Sequence, residues 1–267
     1  SVSMSMLVNN LSLSIMREGF QSLNPFITNG YIKKPELNLE YKQYGSSVSY
    51  FARANYANFD INNNQHLPFN NQRIHQTGKR FITEIGAETL YGFQYFDVSI
   101  DGLFLHKKYS LDDKEINTRS TSIPSIKIKI SSLLRSSSIG SFSLLMPEFI
   151  YKKTNYKDQS MDPIFDLHQR NLGNFNRLNT RYFFGKDRVP DTEFLLARLK
   201  WQKRIKNNSA INFQIIKKNE LKESQVINSM LDKPIGKDSQ IGTHLSFENQ
   251  ILRAFVKANY SQKRNTL

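Results

Sequence analysis

The sequence of 267 residues predicts an all-β protein: an antiparallel up-and-down transmembrane β-barrel, to which the chain contributes about eleven strands. Two observations predict this class. Eleven stretches alternate apolar with polar residues at a period of two, as do strands with one face in hydrocarbon and the other in water. The connections between these stretches alternate between short and long, which indicates that the two ends of the sheet lie on different sides of a membrane.

The alternation is clearest in residues 126–130, where three isoleucines share one face and Lys127 and Lys129 share the other. Nine stretches have this two-faced pattern, and two more, near 80–91 and 141–153, are mixed. The other apolar sets are Leu7/Leu11/Leu13/Ile15, Leu37/Leu39/Tyr41, Val48/Tyr50/Ala52/Ala54/Tyr56, Phe96/Val98/Ile100, Leu195/Ala197/Leu199/Trp201, Ile211/Phe213/Ile215, Leu245/Phe247 and Leu252/Ala254/Val256/Ala258/Tyr260.

The connections favour a barrel over a soluble β-sandwich, which could produce the strand alternation alone. The predicted short ones are Gly45-Ser46, the surroundings of Gly92, Ser136 to Gly140, Lys206-Asn207-Asn208 and Asn249-Gln250. The predicted long ones are 17–34, 60–78, 109–121, 154–190 and 219–238. Most connections in compact soluble domains have about 4–6 residues, so five long ones alternating with tight turns indicate a sidedness imposed by a membrane.

Composition agrees with a membrane sheet. The mean hydropathy is −0.52, and no stretch approaches the roughly 18–20 consecutive apolar residues of a membrane helix. Strand alternation hides hydrophobicity from such an average, so the low value does not exclude a membrane protein. The chain has no cysteine, which excludes a disulfide scaffold or a cysteine metal site within these residues.

The formal net charge of +14 raises the alternative of a soluble, basic, all-β nucleic-acid-binding protein. The cations are spread along strands and long connections rather than clustered, and no recognition helix is predicted, so we expect no nucleic-acid partner. A basic surface also suits a phosphorylated amphiphile. We expect six cations to face the barrel lumen: Lys127, Lys129, Arg198, Lys200, Arg253 and Lys257.

The sequence predicts no enzyme, metal or cofactor. The five histidines lie far apart and lack metal-ligand spacing: His66, His75, His106, His168 and His244. The serines at 136–138 lack the glycines of a nucleophile elbow. Asp187 and Arg188, with Asp158 nearby, are best interpreted as an ion pair that locks a loop, and Gly185 supplies the positive φ of a bend.

The two ends of the sequence predict an internal piece of a larger barrel. Residues 1–6 lack the pattern of a secretory signal, and Asn265-Thr266-Leu267 lacks the terminal aromatic residue of such barrels. An odd number of strands would leave open edges, which are costly in lipid. We therefore expect residues 1–267 to belong to a C-terminal outer-membrane barrel domain, with an N-terminal periplasmic domain absent.

A series of short motifs between 146 and 191 resembles one known family. The motifs are Met146-Pro147-Glu148-Phe149-Ile150-Tyr151, Asp158-Gln159-Ser160, Pro163-Ile164-Phe165-Asp166 and Gly185-Lys186-Asp187-Arg188-Val189-Pro190-Asp191. In this order and spacing they resemble the lipopolysaccharide-assembly outer-membrane proteins, the LptD or organic solvent tolerance family. Pro-led segments at 35–37 and 123–126 are similar to two upstream strands of that family.

The resemblance implies a translocon subunit in the outer membrane of a Gram-negative bacterium that inserts lipopolysaccharide into the outer leaflet without acting on it chemically. It also implies a lipoprotein plug inside the barrel, a periplasmic lipopolysaccharide-transport bridge and contact with outer-membrane lipids. A general porin or receptor-type barrel remains the alternative within the same fold.

The longest predicted connection, 154–190, contains apolar residues that an unstructured loop would not need. They are Pro163, Phe165, Phe175, Leu178 and Phe183. Apolar side chains gain nothing in water, so we expect a folded loop that packs on itself or dips into the barrel mouth, where it would act as a lid. Its motif residues Asp158, Gln159, Ser160, Gly185, Asp187 and Arg188 are the candidate structural site.

Overall fold

The structure, a computed structural model, describes residues 2–18, 32–60, 77–112, 118–166, 168–169, 183–184, 186–205, 209–226 and 239–262. These residues form fifteen β-strands, so the predicted all-β class is confirmed. No helix among them is long and apolar enough to cross a membrane. The strands are β1 (Val2–Val8), β2 (Leu11–Glu18), β3 (Ile32–Tyr44), β4 (Val48–Asp60), β5 (Gly78–Gly92), β6 (Asp97–Leu111), β7 (Thr118–Ser131), β8 (Leu134–Ser138), β9 (Ser141–Thr154), β10 (His168–Gln169), β11 (Phe183–Phe184), β12 (Thr192–Ile205), β13 (Ser209–Glu220), β14 (Ser239–Glu248) and β15 (Arg253–Ser261).

Thirteen of these strands form one antiparallel sheet, and β10 and β11 form a separate two-stranded one. Neighbours in the large sheet follow chain order from β1 to β15, with β9 beside β7 and β12 and with β8 paired to β9. The topology is therefore an up-and-down meander, as predicted. Among the described strands, β1 and β15 each pair on one side only, so the sheet is open.

All eleven predicted strands are present, as β2 to β7, β9 and β12 to β15. The structure adds β1, which pairs with β2 through a turn at Asn9 and Asn10. Asn9 has a φ of 51°, a conformation that asparagine tolerates in tight hairpins. The grouping of Leu7 with Leu11 and Leu13 was wrong: Leu7 pairs with Ser12 and so lies on the opposite face, because the turn separates two strands.

Strand β8 is a continuation of β7 after a short break. Ser131 pairs with Glu148 and Leu134 with Leu145, so the register is unchanged across it. Pro147 lies opposite the break and has no N–H to donate, although its carbonyl accepts from the Ser132 amide at 3.1 Å. The predicted turn at 136–140 is therefore too long, since β8 runs to Ser138.

The meander places the longer connections at one end of the sheet and the tight ones at the other. The longer ones are 19–31, 61–77, 112–117, 155–191 and 221–238, and the tight ones are 9–10, 45–47, 93–96, 139–140, 206–208 and 249–252. The prediction for 109–121 was wrong: β6 extends to Leu111 and β7 begins at Thr118. We call the two ends the long-connection end and the turn end.

Strand register defines an apolar and a polar face of the sheet. Rows of apolar residues run across neighbouring strands, as in Ile100 opposite Ile128 and Ile128 opposite Tyr151. The polar face carries the alternate residues, such as Asp101 opposite Lys127. Many large hydrophobic side chains of the apolar face are exposed in this sheet. The described part of the connection between β9 and β12 packs on the opposite, polar face.

Candidate functional site

Part of the connection between β9 and β12 lies over the polar face of β4 to β7. We call residues 155–166 and 186–191 the strap. Phe165 is its apolar anchor: the ring stacks on Phe59 of β4 with centroids 4.3 Å apart and packs beside Tyr109 of β6. Val189 packs on a second buried cluster from β5, β6 and β7. This confirms, for the described residues, that the connection is folded and packed on the sheet.

Asp187 is the centre of a buried ionic cluster. Its carboxylate accepts from Arg80 Nη1 of β5 at 2.7 Å and from Tyr109 Oη at 3.2 Å. The other oxygen accepts the backbone amides of Phe165 and Asp166, both at 2.7 Å. Arg80 and Asp187 have no exposed surface, so the pair joins the two arms of the strap to β5 in a site without water access.

A second carboxylate completes the binding of Arg80. Asp166 accepts hydrogen bonds from Arg80 Nη1 and Nη2 at 2.7 and 2.8 Å. This bidentate arrangement is the geometry that arginine favours with carboxylates. Asp166 also accepts the Lys186 amide at 3.0 Å. The Lys186 ammonium lies 3.3 Å from Glu36 of β3, which extends the attachment to a further strand.

Lys107 of β6 is the second fully buried cation beneath the strap. Its ammonium donates to Gln159 Oε1 at 2.8 Å, Asp162 Oδ2 at 3.0 Å and the Asp187 carbonyl at 2.8 Å. These three acceptors use all three N–H groups. The Thr121 hydroxyl of β7 also approaches Asp162, so each buried group of this cluster has a partner on the strap or the sheet.

Gln159 and Arg188 connect the two arms of the strap to each other. The Gln159 amide donates to the Val189 carbonyl at 2.7 Å and accepts the Val189 amide at 3.0 Å. Arg188 Nη2 donates to the Asp162 carbonyl at 2.9 Å. The strap therefore holds its own shape through side chains that imitate backbone pairing.

The predicted motif residues divide into buried and exposed groups. Gln159, Asp187 and Arg188 are buried within the cluster. Asp158 is exposed and accepts the Ser160 amide at 2.9 Å, which makes a local turn. The expected ion pair among Asp158, Asp187 and Arg188 is absent from the contacts of the described residues, because Arg80 takes Asp187. Gly185 lies outside the described residues.

The carboxyl pKa values in the cluster move in opposite directions. Burial would raise the pKa of Asp166, but the hydrogen bonds and charge of Arg80 outweigh it and hold the pKa below the ordinary range. Burial raises the pKa of Asp187, against the opposing charge of Arg80. Burial also lowers the pKa of the Lys186 ammonium, and Glu36 offsets part of this change.

A separate contact joins the strap to the start of the β13–β14 connection. Asp191 Oδ1 accepts from Ser224 Oγ at 2.8 Å and from the amides of Gln225 and Val226 at 2.8 and 3.1 Å. The Lys222 ammonium lies 3.3 Å from the other oxygen. Two long connections are thus held together by one buried carboxylate.

This contact is expected to weaken in acid. Burial would raise the pKa of Asp191, but the donors from Ser224, Val226 and Gln225 lower it overall. A folded-state pKa below the ordinary value of about 3.9 means that ionised Asp191 stabilises the contact above that pH. The stabilisation is lost as the pH falls through the folded-state pKa. Amide hydrogen exchange at Gln225 and Val226, corrected for its intrinsic pH dependence, should therefore accelerate below about pH 4.

The Asp191→Asn variant is the control for this prediction. It should already exchange faster at neutral pH and should lose most of the acid dependence. Identical pH profiles in both proteins would mean that another group holds the contact.

The structure places all six predicted lumen cations on the polar face of the sheet. They are Lys127, Lys129, Arg198, Lys200, Arg253 and Lys257. Three have carboxylate neighbours: Lys127 with Asp101, Arg198 with Glu148 at 2.8 Å, and Arg253 with Glu248 at 3.9 Å.

The sequence pattern did not identify the residues that hold the strap to the strands. They are Phe59, Arg80, Lys107, Tyr109 and Thr121 of the sheet and Asp162 of the strap, and Asp166 was part of a motif but not a candidate site residue. One signal was available: period-two alternation places Arg80, Lys107 and Tyr109 on the polar face, where each strand approaches the long-connection end. Their partners are distant in sequence, so alternation could not reveal them.

The cluster attaches the strap to strands β4 to β7. Its carboxylates are occupied by cations and amides, and no group of three or more potential metal ligands occurs among the described residues. Removing any buried member would strand a charged or polar group. The arrangement can hold a cover over one end of the polar face, or release it when the ionic contacts are broken.

No protein-family model matches the chain, and a search of curated proteins finds no match.

Proposed function

We propose that the sheet is part of the wall of an outer-membrane β-barrel, with the apolar face towards lipid and the polar face towards a water-filled lumen. The observation that carries this proposal is the apolar face itself. Large hydrophobic side chains on it are between 40% and 67% exposed: Ile85, Phe104, Ile126, Ile130, Phe149, Leu195, Leu245 and Val256. A soluble protein rarely exposes so continuous an apolar surface, whereas a membrane barrel requires one.

The distribution of charge and aromatic residues over the apolar face supports the same proposal. Its cations lie near the ends of the strands, as in Lys79, Lys108 and Lys203. Amphipathic aromatic residues lie towards both ends, Tyr50, Tyr91 and Trp201 at the turn end and Tyr56, Tyr151 and Tyr260 at the other. Such girdles place rings with polar tips at the two lipid–water boundaries.

The polar face supports a lumen covered at one end. In a soluble two-layer protein the packed layer would lie on the apolar face. Here the strap packs on the polar face, over buried ion pairs. A cover inside a barrel mouth fits this arrangement, and a soluble nucleic-acid-binding protein does not explain it.

Within this architecture we propose that the complete barrel inserts lipopolysaccharide into the outer leaflet of a Gram-negative bacterium. The support is the motif series at 146–191, whose residues Gln159, Asp187 and Arg188 form the core of the strap. A lipoprotein plug and a periplasmic bridge belong to the same proposal, as does passage of the sugar head through a hydrated lumen.

Depletion of the protein in its own host tests this function. Lipopolysaccharide, quantified in separated inner and outer membranes, should accumulate in the inner membrane and fall at the cell surface. Unchanged distribution would contradict the proposal. A porin or receptor barrel would leave the distribution unchanged and would conduct ions steadily when reconstituted, whereas a plugged and strapped barrel should be mostly closed.

The proposal also predicts the sidedness of the sheet. Residues 1–267 contain no cysteine, so one introduced cysteine is the only labelling site within them, and the unsubstituted protein gives the background. A membrane-impermeant maleimide applied to intact cells should label Lys157→Cys, at an exposed position of the strap, and should not label Ser46→Cys, at the turn end. Both sites should react after the cells are lysed. Labelling of Ser46→Cys from outside would contradict this orientation.

A further inference from the structure

The charges of the polar face are divided unevenly between two groups of strands. In β3 to β6 this face carries six carboxylates and five cations, which pair extensively, as in Arg53 between Glu40 and Glu84. In β7 to β15 it carries three carboxylates and eleven cations. These cations are Arg119, Lys127, Lys129, Arg135, Lys152, Arg198, Lys200, Arg204, Lys218, Arg253 and Lys257. We call this second part the basic face.

The basic face contains cations without a carboxylate partner. Lys129, Lys200 and Arg204 have no carboxylate within 4.0 Å among the described residues. Lys127 also lies directly opposite Lys152, and like charges at such positions destabilise a sheet. Among the described residues nothing balances the charges of Lys129, Lys200 and Arg204, so an anion that binds against these three cations would stabilise the sheet.

The neighbours of these cations form hydrogen-bonding rows. One register row runs through Lys200, Gln214, His244 and Lys257 on four adjacent strands. The next row towards the turn end places Gln202 opposite Asn212 and Asn212 opposite Ser246. Amide and hydroxyl groups between separated cations suit a polyhydroxylated ligand that bears anionic groups at intervals.

We propose that the basic face binds the phosphate groups of a phosphorylated glycolipid headgroup. A phosphate ester carries up to about two negative charges and presents several acceptor oxygens, so a few phosphates balance the charges of Lys129, Lys200 and Arg204. Lysine and arginine bind such groups by charge-assisted hydrogen bonds. This inference rests on the proposed function and deepens it, because it assigns the headgroup to β7–β15 rather than to the charge-paired strands β3–β6.

The test compares the full-length protein in detergent with a triple variant, Lys129→Gln, Lys200→Gln and Arg204→Gln. A matched control, Lys79→Gln, Lys108→Gln and Lys203→Gln, removes the same charge from the apolar face. The probes are an acylated glucosamine disaccharide bisphosphate, its dephosphorylated counterpart and inorganic tripolyphosphate. Binding is measured at low and moderate salt, since phosphate contacts are screened by ions.

The wild-type protein should bind the phosphorylated glycolipid roughly tenfold more tightly than the dephosphorylated one, a difference of about 1.4 kcal/mol. The triple variant should lose this preference, and the control should keep it. Tripolyphosphate should compete with the phosphorylated glycolipid only.

Other outcomes contradict the inference in distinct ways. Equal binding of both glycolipids by the wild-type protein would overturn it and leave the proposed function standing. Failure to bind either glycolipid would count against the proposed function itself. Tight tripolyphosphate binding without discrimination between the glycolipids would assign the face to free phosphates. If the triple variant bound both glycolipids as the wild-type protein does but lost a co-purified acidic protein, the basic face would be assigned to binding that protein.

Discussion

Replacing Asp187 with alanine is expected to destabilise the attachment of the strap by about 3–5 kcal/mol, the usual cost of removing one partner of a buried ion pair. The substitution leaves buried Arg80 with Asp166 as its one carboxylate partner among the described residues. It also removes the acceptor of the Phe165 and Asp166 amides and of the Tyr109 hydroxyl. Protease cleavage within the strap of the folded protein should rise accordingly, as should hydrogen exchange at Phe165 and Asp166.

Asp158→Ala is the matched control for this prediction. It removes a carboxylate from the same strap and the same motif series, but this carboxylate is exposed and accepts the amide of its neighbour Ser160. We expect a loss below about 1 kcal/mol, the value of one ordinary hydrogen bond. Equal effects of the two substitutions would show that the buried cluster does not hold the strap.

Replacing residues 158–188 by a short Gly-Ser linker is expected to open the barrel mouth. The ends of the deletion lie close together, since Gln159 contacts Val189, so the strands need not separate. Cells that carry this variant should become sensitive to large antibiotics that the outer membrane normally excludes. The reconstituted variant should conduct ions steadily, whereas the wild-type protein should be mostly closed.

A double substitution distinguishes the effect of detaching the strap from the effect of deleting its residues. Arg80→Met with Lys107→Met removes both buried cations beneath the strap and should change permeability in the same direction. Arg53→Met is the control, because Arg53 pairs with Glu40 and Glu84 of neighbouring strands. An intact barrier in both the deletion and the double variant, with normal amounts of assembled protein, would show that the strap closes nothing.

Strand positions and faces were largely predictable because a sheet with one apolar face repeats the same signal in every strand. The Ile126–Ile130 segment fixed one face of β7, and the register of the structure agrees with it. Failures occurred where a local feature interrupts that signal. The Asn9-Asn10 turn divides a segment that was predicted as one strand, so β1 was not predicted. Pro147 lies opposite the break at Ser132 that separates β8 from β7.

The strap attachment could be predicted only in part. The apolar content of 154–190 indicated a folded connection, and Phe165 proved to be an anchor. The partner of Asp187 could not be found from local pattern, since Arg80 lies 107 residues earlier in the chain. Nearby opposite charges in sequence, such as Arg188, are poor guides in a sheet whose contacts are mostly between strands.

The central claim, that the apolar face meets lipid and the polar face meets water, is tested most directly by a spin-label scan of β7 in bilayers. Single cysteines at positions 126–131 would be labelled in the otherwise cysteine-free chain. Labels at Ile126, Ile128 and Ile130 should be accessible to oxygen and shielded from a water-soluble nickel chelate. Labels at Lys127 and Lys129 should show the reverse. Equal access of the nickel chelate to both sets, or the opposite alternation, would contradict it.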